Sequence, residues 1–211
     1  MIIGIAGKKR TGKSTMARAL QGGLQGGLKD NRGQGVTVGE TKPSIYLDSL
    51  AAPIKGALGG LLSVQAPQNF STPIGATLHP MLKEKAMPTV PGMTPRVFLQ
   101  ELGNFMRSVD EHFWINLFQV RQMQRNPGIT IIDDVRHENE VDFILNSGGV
   151  VIHLGFEEGQ VTDTHASETG LDSLTSVHPN YHRLRFTDER SRAFEAQKFV
   201  DDIVDKLLAG V

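Results

Sequence analysis

One stretch near the start of the chain constrains its fold more than any other. Residues 7–15 read GKKRTGKST and satisfy G-x-x-x-x-G-K-[ST], the spacing of a loop whose backbone N–H groups cradle phosphate. The apolar run MIIGIA, residues 1–6, reads as a short buried strand in front of it. Behind it, residues 13–28 place Met16, Ala19, Leu20 and Leu24 on one side of a helix. A strand feeding a glycine loop that opens a helix belongs to an α/β sheet protein. The glycines let N–H groups turn inward, and the helix N-terminus adds about half a positive charge. Lys13 is placed to reach the β- and γ-phosphates of ATP, and the Ser14 hydroxyl to hold Mg²⁺. The ATP-binding set is therefore Gly7, Lys9, Arg10, Thr11, Gly12, Lys13, Ser14 and Thr15. The loop is also unusually cationic, with Lys8, Lys9 and Arg10 in addition to Lys13.

The rest of the chain continues the alternation. Residues 44–47, 128–132, 150–154 and 183–186 read as strands, and 53–62, 96–106, 113–123, 138–146 and 190–208 as helices. This pattern predicts a parallel sheet with helices on both faces. The tandem QGGLQGGL, residues 21–28, predicts that the first helix frays early, because each interior glycine costs about 1 kcal/mol relative to alanine. Residues 63–95 hold six of the ten prolines and little periodicity, so they read as an irregular excursion on one face. A length of 211 residues favours one domain spanning 1–211.

Bulk properties remove several function classes. A formal net charge of -1 gives no general case for binding nucleic acid or membranes. The absence of cysteine excludes disulfides and thiolate metal sites and fits a reducing cytoplasm. The apolar start is too short for a signal peptide, and no run approaches the ~20 apolar residues of a membrane span.

Two further groups carry chemistry. GITIIDDVR, residues 128–136, places Asp133 and Asp134 at the carboxyl end of a buried strand, where ligands sit in open α/β sheets. Either acid suits a metal or its waters, and either could instead cap the following helix. Arg136 suits phosphate or these acids equally well. On a helix over 96–107, Arg96, Gln100, Gly103 and Arg107 fall on one stripe, with Phe98, Leu102, Phe105 and Val109 on another face. The stripe reads either as a solvated face or as a nucleotide contact. Its two arginines are about 16 Å apart along the axis, too far to hold one phosphate on an unbroken helix.

Together these pieces resemble one family, the phage-type deoxynucleoside monophosphate kinases of the P-loop kinase superfamily. The resemblance rests on GKKRTGKST, LAAPIK (50–55), RVFLQELGNFMR (96–107) with FWINLF after it, DVRHENEVD (134–142), and GGVVIHL followed by DTHASETGL (163–171). It implies a three-layer P-loop kinase fold with a monophosphate-binding insert over about 63–95 and a lid-like segment over about 157–182. It implies transfer of a phosphoryl group from ATP to a deoxynucleoside monophosphate, dependent on Mg²⁺. Lys55, Arg96, Gln100, Arg107 and Arg136 would face the monophosphate, and Asp134 matches the family's D-x-R acid better than Asp133. His165, Ser167 and Glu168 would serve the lid, and His165 is not expected to act as a base. The partners implied are small nucleotides, without nucleic acid or membrane, in a host cytoplasm if phage-encoded, and the family suggests a homodimer.

The sequence departs from the pattern of many monophosphate kinases in one respect. From His137 to His182 there is no lysine or arginine and there are eight acids, so this lid cannot bring a cation to the transferring group. Lys9 and Arg10 then become the candidates to join Lys13 and Arg136 in neutralising charge where donor and acceptor phosphates meet. Two other readings stay open from the residues: a P-loop kinase of another small metabolite, such as a coenzyme A precursor or a sugar acid, and a nucleotide-binding switch. An arginine stripe forming a second anion site argues against the switch.

Overall fold

The computed structural model describes residues 1–8, 11–27, 44–63, 92–156, 171, 178–186 and 189–209. In chain order the elements are β1 (Ile2–Gly7), α1 (Lys13–Gly27), β2 (Ile45–Asp48), α2 (Ala52–Ser63), α3 (Pro95–Val109), α4 (Phe113–Arg125), β3 (Ile129–Val135), α5 (Glu138–Asn146), β4 (Val150–Phe156), β5 (Tyr181–Phe186) and α6 (Glu189–Ala209). Among the described residues the chain falls into two compact units: Met1–Ser49 with Gln119–Val211, and Leu50–Phe118.

The first unit is built on a five-stranded sheet of order β2-β3-β1-β4-β5. Every pairing in it is parallel. Buried runs rich in β-branched residues make its three inner strands, β1, β3 and β4, as expected of strands covered on both faces. One face packs Ile3, Ile5, Ile131, Ile152, Leu154 and Phe186 against Met16, Leu20 and Leu24 of α1 and Val200, Ile203 and Val204 of α6. The other carries α5, whose Val141 and Ile144 are fully buried. The helix–sheet–helix layering is the α/β architecture that the alternating sequence predicts.

The first helix corrects an expectation. It does not fray at QGG but continues through Gly22, Gly23 and Gly26 to Gly27. The reason is tertiary. A Cβ on Gly23 would stand 3.1 Å from a methyl of Val204 and 3.5 Å from one of Val200, so the glycine lets α6 approach closely. Packing against α6 outweighs the intrinsic cost of glycine in the helix.

Other boundaries follow local chemistry. Gly148 (φ 71°) ends α5, its N–H donating to the Leu145 carbonyl. Asn126 (φ 44°) does the same for α4, with its N–H on the Gln122 carbonyl and Pro127 next in sequence.

In the second unit, α3 opens on Thr94, whose hydroxyl accepts from the Val97 N–H at 3.2 Å, and on Pro95 in the first turn. Helix α2 packs against α3, with Ile54 and Leu58 buried. Trp114 donates its indole N–H to the Gly103 carbonyl at 3.3 Å and meets Phe113 edge to face, ring centroids 4.8 Å apart. The excursion read over 63–95 lies largely outside the described residues. No described helix is long and apolar enough to cross a membrane.

Candidate functional site

The phosphate loop leaves the sheet at the carboxyl end of β1. Gly7 has φ 139°, and a Cβ there would meet the Leu154 carbonyl oxygen at 2.4 Å. No other residue fits between the loop and β4. Gly12 has φ 92° and turns the chain into α1, where its carbonyl accepts from the Met16 N–H at 2.9 Å. Thr11, 1% exposed, staples the loop: its hydroxyl donates to the Lys8 carbonyl at 2.8 Å. The Lys13 ammonium donates to the carbonyls of Gly7 (2.5 Å) and Lys8 (2.7 Å). The positive group thus lies along the loop that begins the helix, where the helix dipole adds to its field. Ser14 and Thr15 sit exposed on the first turn of α1. Lys9 and Arg10 lie outside the described residues.

The two acids of β3 separate. The register of β1 on β3 runs Gly4 to Ile132 and then Ala6 to Val135, so Asp133 and Asp134 together oppose Ile5. This bulge takes the second acid out of the regular alternation of the pleat. Asp133 accepts a hydrogen bond from the Ser14 hydroxyl at 2.7 Å. Asp134 accepts one from Ser49, at the end of β2, at 2.5 Å. Neither acid caps α5. That task falls to Glu140, 2% exposed, whose carboxylate accepts from the backbone N–H of Arg136 (2.7 Å) and His137 (3.1 Å).

The oxygen donors of Ser14 and Asp133 fit Mg²⁺, a hard cation that takes one or two carboxylates and keeps its remaining positions for water and phosphate oxygens. Among the described residues there is no cluster of three or more His, Cys, Asp or Glu that would form a protein-only cage.

Behind the acids lies a polar cluster that the sequence reading missed. Asp48, its side chain 4% exposed, pairs with Arg125 at 3.0 Å and Arg121 at 3.4 Å. It also accepts the Ser49 N–H at 2.8 Å, and Arg121 donates to the Ser49 carbonyl at 2.8 Å. The signal was present, since Asp48 ends a strand as Asp133 and Asp134 do, and Arg121 and Arg125 stand four apart on one helix face.

In the second unit the stripe of α3 is partly buried: Gly103 is buried, and Arg96, Gln100 and Arg107 are of intermediate exposure, as are Phe98 and Leu102 of the apolar face, whose Phe105 and Val109 are 62% and 67% exposed. A Cβ on Gly103 would lie 3.4 Å from a terminal nitrogen of Arg107 and 3.6 Å from Ile54. The glycine makes room for the guanidinium to lie along the helix and for α2 to approach. Lys55 is on α2 of the same unit. His165, Ser167 and Glu168 lie outside the described residues.

The sequence profile described as deoxynucleotide monophosphate kinase matches residues 81–178. A protein of Acanthamoeba polyphaga mimivirus, described provisionally as a deoxynucleotide monophosphate kinase, is 30% identical over 172 residues, covering 71% of this chain and 83% of its own length.

Proposed function

The chain belongs to the deoxynucleotide monophosphate kinase family, and from that premise we propose that it transfers the γ-phosphoryl group of ATP, with Mg²⁺, to a deoxynucleoside monophosphate. The observation that carries this reading is the contact between Ser14 and Asp133. It joins the phosphate loop to an acid of β3, the strand beside β1, the pairing that a nucleotide-bound metal requires. When bound, Mg²⁺ would supply charge neutralisation at the β- and γ-phosphates, with Ser14 and Asp133 as its protein-side oxygens.

The chain's own residues then do the rest by position and charge. Backbone N–H groups of residues 7–15 and the N-terminus of α1 cradle the phosphates. The Lys13 ammonium exchanges its carbonyl partners for phosphate oxygens. Lys9 and Arg10 supply the cationic charge that residues 137–182 lack, and Arg136 adds to it. Lys55, Arg96, Gln100 and Arg107 of the second unit contact the deoxynucleoside monophosphate; on the unbroken helix α3 the two arginines, about 16 Å apart, meet different parts of it rather than one phosphate. The acceptor is already a phosphate oxygen, so no strong general base is needed. Residues 1–211 are read as one kinase domain, with about 63–95 as the monophosphate insert and His165, Ser167 and Glu168 in the lid.

Coupled measurement of ADP release tests the reading, with ATP and a panel of deoxynucleoside monophosphates, ribonucleoside monophosphates and non-nucleotide acceptors. Turnover should rise above the acceptor-free rate with at least one deoxynucleoside monophosphate and should vanish with excess chelator. A panel in which only a non-nucleotide acceptor works would overturn it.

A further inference from the structure

Ser49 has all three of its polar groups engaged within the first unit, and each on a different partner. Its N–H donates to Asp48 at 2.8 Å, its carbonyl accepts from Arg121 at 2.8 Å, and its hydroxyl donates to Asp134 at 2.5 Å. It is 8% exposed, so these bonds form away from competing water, which would otherwise let their geometry relax. The residue it holds needs holding. Asp134 occupies the bulge of β3, where the ladder no longer fixes the direction of a side chain.

We propose that Ser49 is a positioning residue for phosphoryl transfer, fixing the direction of the Asp134 carboxylate through its hydroxyl. The assignment rests on the kinase reading above. A carboxylate beside a phosphate site must face the site's cations, because the same charge turned toward phosphate is repulsive. Asp133 has its direction set by Ser14, and Asp134 has its own set by Ser49. Ser49 in turn cannot drift, because Asp48 and Arg121 hold its backbone from both sides. Arg125, on the same carboxylate of Asp48, extends the brace along α4. Neither the phosphate-loop motif nor the family pattern quoted above includes Ser49.

A double-mutant cycle between Ser49→Ala and Asp134→Asn, read as kcat and KM with thermal unfolding alongside, tests the assignment. Ser49→Ala should lower kcat by roughly ten- to a hundredfold, the usual cost of removing a group that orients a site residue. The KM for ATP should stay within about twofold, and the unfolding temperature should hold within a few degrees. In the Asp134→Asn background the same substitution should add little further loss, because Ser49 acts through that carboxylate. A kcat for Ser49→Ala close to that of the wild type would overturn the assignment, and so would losses that multiply in the double mutant. Both results leave the kinase reading standing. A wild-type chain inactive with every monophosphate would overturn that reading and this one with it.

Discussion

At the scale of single residues, the site is a set of charges whose directions are fixed by neighbours. Lys13 and Arg10 have different proposed tasks in the loop, and kinetics separates them. Lys13→Ala should abolish detectable transfer. Arg10→Ala should lower kcat far more than it weakens ATP binding, as expected of a cation used in the transition state; equal losses in both would make Arg10 a binding residue only. Asp48 is a structural acid. Replacing it with alanine leaves Arg121, its side chain 17% exposed, without its carboxylate, while Arg125 at 44% stays hydrated. Asp48→Ala should therefore cost about 3 kcal/mol, the low end for breaking a buried pair from one side, measured by urea unfolding. The motif made Lys13 and Ser14 legible in the sequence. The split between Asp133 and Asp134 was not, because a bulge is a property of two paired strands.

At the scale of elements, close approach governs. Gly22 and Gly26 of α1 have open space where a Cβ would go, whereas Gly23 faces Val200 and Val204 of α6. Gly22→Ala and Gly26→Ala should each stabilise the protein by about 0.5–1 kcal/mol, through helix propensity and reduced freedom of the unfolded chain. Gly23→Leu should destabilise it, since its side chain must push α6 aside; thermal unfolding of the three variants orders them.

The packing of β5 on α6 also carries a pH dependence. The His182 ring meets Phe199 at 5.6 Å. Burial, then the nearby charge of Lys206, lower its pKa below the ordinary imidazole value, with Asp202 opposing. The unfolded chain therefore binds this proton more readily than the folded one, and stability falls as pH drops below about 6.5 toward the folded-state value. His182→Gln should flatten that part of the stability profile, followed by urea midpoints between about pH 7.5 and 5.

At the scale of the whole molecule, the sheet unit and the unit of Leu50–Phe118 divide the proposed work into ATP binding and monophosphate binding. Arg96→Ala should then raise the KM for the deoxynucleoside monophosphate with little change in that for ATP; an unchanged KM for the monophosphate counts against the residue's role. The sequence by itself determined the glycine turn from β1 into α1, the alternation of strands and helices, and most element boundaries. Those depend on periodicity and on glycine and proline punctuation, which act over a few residues. Only the tertiary structure decided which acid meets Ser14, 119 positions away, and that Ser49 holds Asp134 from 85 positions away. It also decided that a glycine-rich helix survives to Gly27 and that the arginine stripe of α3 is partly buried around Gly103. Those outcomes depend on contacts between distant segments, and no local pattern encodes the register of one strand against another.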